Sequence, residues 1–367
     1  LKLIVENFFS FIVILSVIVF IHEYGHYIVA KLCGVKIEAF SIGFGKEIFG
    51  WNDKSGTRWK IAILPFGGYV QMFGDGDPSS SSIDAKKLEK LSEEEKKQTF
   101  YYKNVYQRLA VVSAGPLFNL LTAIFILTFS YNITGMTIFT PVADEIITDS
   151  PAEKAGIIKN DRIVSINGTK IDSLQEMKNI VSMNPSKELT FKVLRDSKEI
   201  DLKLTPEIKT SKDVFGNEIK VGIVGVVSKS FEYKKLNIFS SFIEANKSVY
   251  TMSANTLKAL GQMITGSRST DELGGPLQIA KYSGQSFRAG AAAVFWFIAL
   301  ISANLGLMNL LPIPALDGGH ILFYLIEIIR RKPIPEKIQE YSLRTGFILL
   351  ISLMIFVTFS DITKLFK

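Results

Sequence analysis

The stretch from Leu3 to Ile21 reads LIVENFFSFIVILSVIVFI and continues without a break into His22-Glu23-Tyr24-Gly25-His26. An apolar run of this length is long enough to cross a bilayer as a helix. It is longer than the apolar core of a secretory signal peptide, and it leads to ionisable residues rather than to a small-residue cleavage site. We therefore predict that residues 1–30 form a transmembrane helix that carries the HExxH pattern near its end.

Three further apolar runs occur in the chain, at Leu109–Phe129, Ala291–Leu311 and Thr345–Phe359. They explain why the mean hydropathy of the 367-residue chain is +0.25 although 21% of its residues are charged. This combination excludes a disordered chain and argues against an ordinary soluble enzyme. The predicted fold class is a polytopic α-helical membrane protein with about four transmembrane helices. The predicted spans are residues 1–30, 107–131, 291–320 and 341–362.

The net charge of +7 does not by itself indicate a nucleic-acid partner, because lysines and arginines beside the membrane account for part of the excess. No stacking-aromatic motif supports nucleic-acid binding either. The single cysteine, Cys33, can form no internal disulfide and leaves the redox compartment open. Basic residues cluster between the third and fourth spans, at Arg330, Arg331, Lys332, Lys337 and Arg344.

This basic cluster predicts a cytoplasmic loop, since short cytoplasmic loops carry an excess of lysine and arginine. With four spans, residues 31–106 are then also cytoplasmic. The long segment between the second and third spans and both termini lie outside. The HExxH pattern is then near the cytoplasmic end of its helix.

The HExxH pattern predicts a zinc site. On a helix, His22 and His26 lie on one face and can direct both imidazoles at one Zn²⁺, while Glu23 can serve as a general base toward the attacking water. Ionisable residues that continue an apolar span each cost a few kcal/mol unless they are paired or functional. The alternative is that the span ends at Ile21 and that these residues lie among the lipid headgroups.

A second polar motif, residues 309–320, reads NLLPIPALDGGH. A catalytic zinc site takes three protein ligands and leaves one position open, and Asp317 is the natural third ligand. Pro312 and Pro314 interrupt the third span, and broken backbone at membrane depth is tolerated where it lines a cavity. Two alternatives stay open: Asp317 is an ordinary loop carboxylate facing the cytoplasm, or His320 competes with it as a ligand.

Two glycine-proline motifs accompany these residues. In the second span, Gly115-Pro116 permits a kink and close helix approach, and Asn119 places an amide inside the bilayer. Helix packing and a direct role at the active site are equally compatible with Asn119. Before the third span, Gly274-Gly275-Pro276 predicts a turn or a short re-entrant element.

The segments between the spans predict two further structures. Residues 31–106 contain glycine-punctuated β-formers over Ile37–Trp51 and Thr57–Phe73, which predict membrane-associated hairpins, followed by a mobile polar segment from Gly74 to Lys97. Residues 135–206 predict a compact α+β module with a helix over Ser173–Met183. Residues 207–290 predict an extracytoplasmic connector that includes an amphipathic helix.

Taken together, His22-Glu23-x-x-His26, Gly115-Pro-x-x-Asn119 and Asn309-x-x-Pro-x-Pro-x-Leu-Asp317-Gly resemble the site-2 protease family of intramembrane zinc metalloproteases, and within it the bacterial RseP/RasP type. Residues 135–206 resemble a PDZ domain through the segments 150–156 and 161–168. Several members of that type carry two tandem PDZ domains, whereas this chain has room for one.

The resemblance implies a zinc metalloendopeptidase of the bacterial cytoplasmic membrane. Its one Zn²⁺ per chain would be held by His22, His26 and Asp317, with Glu23 as the catalytic residue. It implies further residues that support the active site or bind the unwound substrate: Asn119, Asn304, Asn309, Gly67 and Gly68.

The implied substrates are single-span membrane proteins that another protease has trimmed, such as anti-sigma factors or remnant signal peptides, in regulated intramembrane proteolysis. An exposed strand edge near Gly67-Gly68 would pair with the extended substrate. The PDZ domain would either bind a peptide or C-terminus or act as a size filter, and the sequence leaves both open.

Two other classes of protein share some of these features. In a zinc-dependent transporter, intramembrane His and Asp would bind the transported ion, but such a site needs no positioned base. In a catalytically inactive PDZ scaffold, Glu23 would be free to change. The intact HExxH pattern therefore favours the protease over both.

Overall fold

The computed structural model describes residues 2–74, 91–212, 218–266 and 274–365. Most of the predicted mobile polar segment lies outside these residues. Its last part contains a one-turn helix, α2 (Glu93–Lys96), which Ser92 caps. The chain divides into two compact units, of which the first contains Leu1–Thr128, Phe242–Leu257 and Leu273–Lys367 and the second contains Phe129–Ser241 and Lys258–Glu272.

Four helices of the described chain are long and apolar enough to cross a membrane. The protein is accordingly a membrane protein. The helices show no polar stripe, since leucine, isoleucine and phenylalanine surround them, as expected where lipid replaces water. They are α1 (Lys2–Leu32), α3 (Val105–Thr134), α8 (Ala291–Leu310) and α10 (Glu336–Leu365).

The predicted third segment, residues 291–320, contains a helix break. Helix α8 ends at Leu310, because Leu311 precedes Pro312 and adopts the extended backbone that proline imposes on its neighbour. After a short loop, α9 (Asp317–Arg330) begins at the predicted zinc ligand. The Gly274-Gly275-Pro276 motif, for which the sequence predicts a turn or a short re-entrant element, lies at the start of another helix, α7 (Pro276–Ala289), with Gly275 at its N-cap.

Helices α1, α3 and α8 meet at positions where small residues allow close backbone contact. A Cβ added at Gly25 of α1 would lie 2.6 Å from the Ala114 carbonyl oxygen of α3. A Cβ added at Gly306 of α8 would lie 2.8 Å from the Pro116 carbonyl oxygen. Small residues bring transmembrane helices together in this way. The three helices thereby converge around the HExxH turn of α1.

Helix α9 is attached to the start of α3 by an ion pair that is largely removed from solvent. Arg108 Nη2 donates to Glu327 Oε1 at 2.6 Å, and the two side chains are 16% and 15% exposed. The same guanidinium lies over the Tyr324 ring, 4.9 Å from its centroid. This contact holds the helix that starts at Asp317 against the helix that carries Asn119.

The hairpin segment forms a four-stranded arrangement from two long, bent strands, β1 (Ile37–Asn52) and β2 (Arg58–Met72). The first half of β1 pairs on both sides: Phe40 lies opposite Val70 on one side and opposite Trp59 on the other. The bends coincide with glycines at positive φ, at Gly43, Gly45 and Gly67. The second half of β2, after Gly67, is therefore an edge of this sheet.

Asp53 attaches the turn between β1 and β2 to the C-terminal end of α1. Its carboxylate accepts hydrogen bonds from Tyr27 and Trp59, both at 3.1 Å, and pairs with Lys31 at 3.6 Å. Burial raises the pKa of Asp53, but hydrogen bonds from Ser55, Trp59 and their neighbours outweigh it and hold that pKa below its usual range. The sheet is thus attached to the helix that carries HExxH.

The second unit is an α+β module with one apolar core. A four-stranded antiparallel sheet, in the order β6-β5-β7-β8, packs with α5 around Ile163, Met177 and Phe191. Asp161, which is 1% exposed, is paired with Arg195 beside this core. The elements of the sheet and its helices are α4 (Pro151–Lys154), β5 (Arg162–Ile166), β6 (Thr169–Lys170), α5 (Leu174–Met183), β7 (Leu189–Arg195) and β8 (Lys198–Leu204).

This module continues beyond residue 206, where the sequence placed the start of a connector. β3 (Met136–Phe139) pairs with β12 (Phe231–Lys234), and β4 (Glu145–Ile146) pairs with β11 (Val226–Val227). Such pairings join residues more than 70 positions apart, so local periodicity does not reveal them. Between them lies the hairpin of β9 (Glu207–Lys212) and β10 (Glu218–Ile223), and the predicted amphipathic helix follows as α6 (Ile238–Ile264).

Candidate metal centre

Three side chains from distant parts of the chain converge at the HExxH turn. His22 and His26 lie one turn apart on α1, and Asp317 is the first residue of α9. One ligand atom from each lies within 4.8 Å of the others. Asp317 Oδ2 is 3.2 Å from His22 Nε2 and 3.6 Å from His26 Nε2. The predicted His22, His26 and Asp317 are thus brought together.

These donors fit zinc. Two imidazole nitrogens and a carboxylate oxygen are ligands that zinc accepts, and three protein ligands are the number that catalytic zinc sites use. The two histidines are 12% exposed and Asp317 is 20% exposed, so the site is enclosed without being sealed. His26 Nδ1 lies 2.9 Å from the Val111 carbonyl oxygen, which keeps the proton on Nδ1 and leaves Nε2 free for a metal.

Glu23 lies between the metal ligands and the edge strand. A Cβ added at Gly68 of β2 would lie 3.0 Å from Glu23 Cγ and 2.6 Å from the Ser41 carbonyl oxygen. Only a glycine allows the strand to approach the helix this closely at that point. Gly68 therefore places a strand edge directly beside the Glu23 side chain, whereas the preceding Gly67, at positive φ, lies against the Phe44 ring.

Asn119 is completely buried behind the site. Its Nδ2 lies 3.2 Å from His22 Nδ1, on the side of the imidazole opposite Asp317. Ser302 of α8 donates a hydrogen bond to the Asn119 carbonyl oxygen at 3.0 Å. In this arrangement Asn119 contacts a metal-ligand candidate rather than the open side of the site.

The remaining predicted residues are distributed around α8 and α9. Asn304, partly buried on α8, accepts a hydrogen bond from Thr256 of α6 at 2.9 Å. Asn309 is partly buried in the last turn of α8, just before the break. His320 lies one turn into α9, and its ring packs edge-on against Phe323 at 6.2 Å. Within the described residues, the candidate metal cluster does not include His320.

Two contributors to the site escape sequence reasoning. The Val111 carbonyl is a backbone group, for which the residue type carries no signal. Ser302 is a small polar residue in an apolar helix, where serine is common at helix contacts. The sequence gives one weak signal for Ser302: it lies seven positions before Asn309, and this spacing puts both polar side chains on one face of α8.

Gly115 leaves the space that the imidazoles occupy, and this suggests a test. A Cβ at this position would overlap His26 Nε2 and lie 2.8 Å from His22 Cε1. We expect Gly115→Ala to displace both rings and to weaken zinc binding about tenfold or more. Gly261→Ala is the matched control, since its added Cβ meets nothing within 4 Å. Zinc affinity measured by chelator competition on both variants checks the prediction, and an unchanged affinity in Gly115→Ala would contradict it.

Comparison with known proteins identifies extensive similarity. The sequence profile described as peptidase family M50 matches residues 10–353. A protein of Agrobacterium fabrum that is provisionally named a zinc metalloprotease is 39% identical over 97% of this chain and 95% of its own length. A protein of Rickettsia conorii with the same provisional name is 39% identical over 98% of this chain and 99% of its own. Metalloprotease MmpA of Caulobacter vibrioides is 31% identical over 97% and 95%.

Among solved structures, the PDZ domain of the SdrC-like protein of Listeria innocua is similar to part of the chain. It is 20% identical, covers 26% of this chain and 98% of its own, and has a TM-score of 0.20.

Proposed function

The chain belongs to peptidase family M50, the site-2 protease family, and from this premise we propose that it cleaves transmembrane segments of single-span membrane proteins after another protease has trimmed them. Membership makes it a zinc metalloendopeptidase and a membrane protein. The proposal concerns the substrates, the residues that do the chemistry and the orientation in the membrane. The observation that carries it is the His22, His26 and Asp317 cluster on helices apolar enough to span a bilayer.

In this proposal His22, His26 and Asp317 hold the zinc, and Glu23 is the catalytic residue. Bound there, zinc would supply a Lewis acid and lower the pKa of a water molecule from 15.7 to about 7. The Glu23 carboxylate takes a proton from the attacking water and passes it to the leaving amine. His26 keeps its ligand nitrogen aimed at the site through the Val111 carbonyl.

In this proposal the edge strand brings an extended substrate to these residues. A peptide bond inside a helix is hydrogen-bonded and shielded, so the segment must become extended before water attacks it. The second half of β2 has β1 as its one strand partner within the described chain, and it runs past Glu23 at Gly68. A substrate strand added to this edge would place its backbone beside Glu23. Asn304 and Asn309 are proposed to support the unwound substrate.

The proposed orientation follows the charge of the loops. Arg330, Arg331, Lys332, Lys337 and Arg344 are all exposed, which suits a cytoplasmic surface of the bacterial inner membrane. The PDZ domain, residues 135–206 with the strands that extend it, then lies outside. It either binds a newly trimmed C-terminus or acts as a size filter against substrates with large outer domains. Regulated intramembrane proteolysis of anti-sigma factors or remnant signal peptides is the setting that such substrates imply.

Substrate length provides the test. The full-length chain is reconstituted with one model single-span protein in two forms, one with a folded outer domain and one truncated a few residues outside the membrane. We expect the truncated form to be cut within its transmembrane segment at least about tenfold faster, a barrier difference of about 1.4 kcal/mol. Mass spectrometry of the products locates the cut.

A chelator-treated sample of the same preparation is the control for this assay. Equal rates for the two substrate forms would contradict the trimming requirement. A cut outside the transmembrane segment would contradict intramembrane cleavage itself.

A further inference from the structure

A buried amide lies behind the metal-ligand candidate His22. Asn119 of α3 is 0% exposed, and its Nδ2 is 3.2 Å from His22 Nδ1. On its other side, Ser302 Oγ lies 3.0 Å from the Asn119 carbonyl oxygen and 3.5 Å from its Oδ1. Ser302 is likewise 0% exposed. These contacts connect α8, α3 and α1 in one polar chain within otherwise apolar helices.

In the described arrangement, the amide nitrogen of Asn119 faces His22. Asn119 Nδ2 can only donate, so His22 Nδ1 must accept and the imidazole proton resides on Nε2. From there it can be donated to Asp317 Oδ2, 3.2 Å away. The Ser302 hydroxyl has one proton and faces two oxygens, the Asn119 carbonyl and Oδ1. One of those two contacts is therefore left without a proton.

Zinc binding through His22 Nε2 requires the opposite arrangement. Nε2 must present its lone pair, so the neutral ring carries its proton on Nδ1 and needs an acceptor there. Rotating the Asn119 amide by 180° about its terminal bond exchanges Oδ1 and Nδ2 without moving the helices. Oδ1 then accepts from His22 Nδ1, Nδ2 donates to Ser302 Oγ, and the hydroxyl donates to the Asn119 carbonyl. Every proton in this polar chain of His22, Asn119 and Ser302 then has one acceptor.

We propose that Asn119 is the positioning residue of the zinc ligand His22: its amide oxygen accepts the Nδ1 proton of the zinc-binding tautomer, and Ser302 anchors the amide from the other side. The inference rests on the proposed role of His22 as a ligand. It assigns Asn119 to the metal rather than to the substrate or to helix packing alone.

Zinc affinity provides a test that does not depend on cleavage. Chelator competition is carried out on the full-length chain carrying Glu23→Gln, so that no proteolysis intervenes. Asn119→Leu fills a similar volume without an acceptor, and we expect zinc affinity to fall about 10- to 100-fold. Asn119→Asp retains an acceptor for His22 Nδ1–H, and we expect affinity within about threefold of the parent, as in carboxylate–histidine–zinc arrangements. Ser302→Ala is expected to lie between the two.

Thr128→Val is the matched control, because it removes a buried hydroxyl of α3 whose one hydrogen bond among the described residues goes to the Ile124 carbonyl oxygen of the same helix. Its zinc affinity should equal that of the parent. An Asn119→Leu chain that binds zinc as tightly as the parent would overturn the proposal. So would an Asn119→Asp chain that loses as much affinity as the leucine variant, since the amide would then serve packing.

The His22→Ala variant separates this inference from the function on which it rests. If His22→Ala binds zinc as tightly as the parent, the ligand assignment fails and this inference fails with it. If His22→Ala loses zinc while Asn119→Leu does not, only the role of Asn119 fails.

Discussion

Glu23→Gln is expected to abolish peptide-bond cleavage while leaving the fold and the zinc content unchanged. The amide has nearly the shape of the carboxylate, so the contact with Gly68 is kept, but it cannot take a proton from the attacking water. General acid–base catalysis contributes about 10²- to 10⁴-fold to a rate, and we expect a loss in that range or greater. Cleavage of a model transmembrane substrate by reconstituted protein, with zinc quantified in the same preparation, measures both parts.

Glu6→Gln is the matched control for this variant. Glu6 lies on the same helix. Its side chain is 45% exposed and forms an ion pair with Lys2. The Glu6→Gln variant should cleave the substrate at the rate of the unaltered protein. A Glu23→Gln chain that keeps more than about a tenth of the activity would remove Glu23 from the role of general base. Zinc flux without hydrolysis in the unaltered protein would favour a transporter instead.

The local features of this fold follow from sequence patterns. Apolar runs of about 20 residues specify spanning helices because the hydrocarbon core has a fixed thickness. The four-residue spacing of His22 and His26 specifies that they share a helix face, and α1 places them so. The proline at position 312 predicts an interrupted third segment, and α8 ends directly before it.

Other features depend on contacts between distant residues, for which spacing carries no information. The pairing of β3 with β12 and of β4 with β11 extends the second unit beyond residue 206, and Val224 and Val226 of that extension pack in or against its apolar core. The double pairing of β1 arises from glycine bends whose direction the sequence does not specify. The contact of Asn119 with His22 likewise depends on how α3 is rotated against α1.

Sequence spacing also does not distinguish Asp317 from His320 as the third metal ligand. Both residues lie in the first turn of α9 and both are potential ligands. The backbone favours Asp317, since the helix that begins there after the break at Leu310 has Asp317 Oδ2 within 3.6 Å of both histidines. His320, three residues later, packs against Phe323 of its own helix.

We therefore expect Asp317→Ala to lose both zinc and cleavage, whereas His320→Ala keeps zinc. Removing one of three protein ligands leaves two imidazoles, fewer than a catalytic zinc site uses. It also removes the negative charge that offsets part of the Zn²⁺ charge in an apolar setting, where an unpaired charge is costly. Loss of zinc affinity by about 100-fold or more is the expected result, since even outer contacts to a ligand are worth 10- to 100-fold.

Metal analysis after equilibration with a fixed excess of chelator compares the two variants directly. Asp317→Asn adds a third point, because the amide oxygen keeps the size of the side chain and gives up its charge. An order of affinity in which the asparagine variant lies between the unaltered protein and Asp317→Ala would show that both the oxygen donor and its charge contribute. Zinc retained in Asp317→Ala but lost in His320→Ala would reverse the ligand assignment and would require α9 to turn by about 60° about its axis, because residues three apart on a helix point about 60° away from each other.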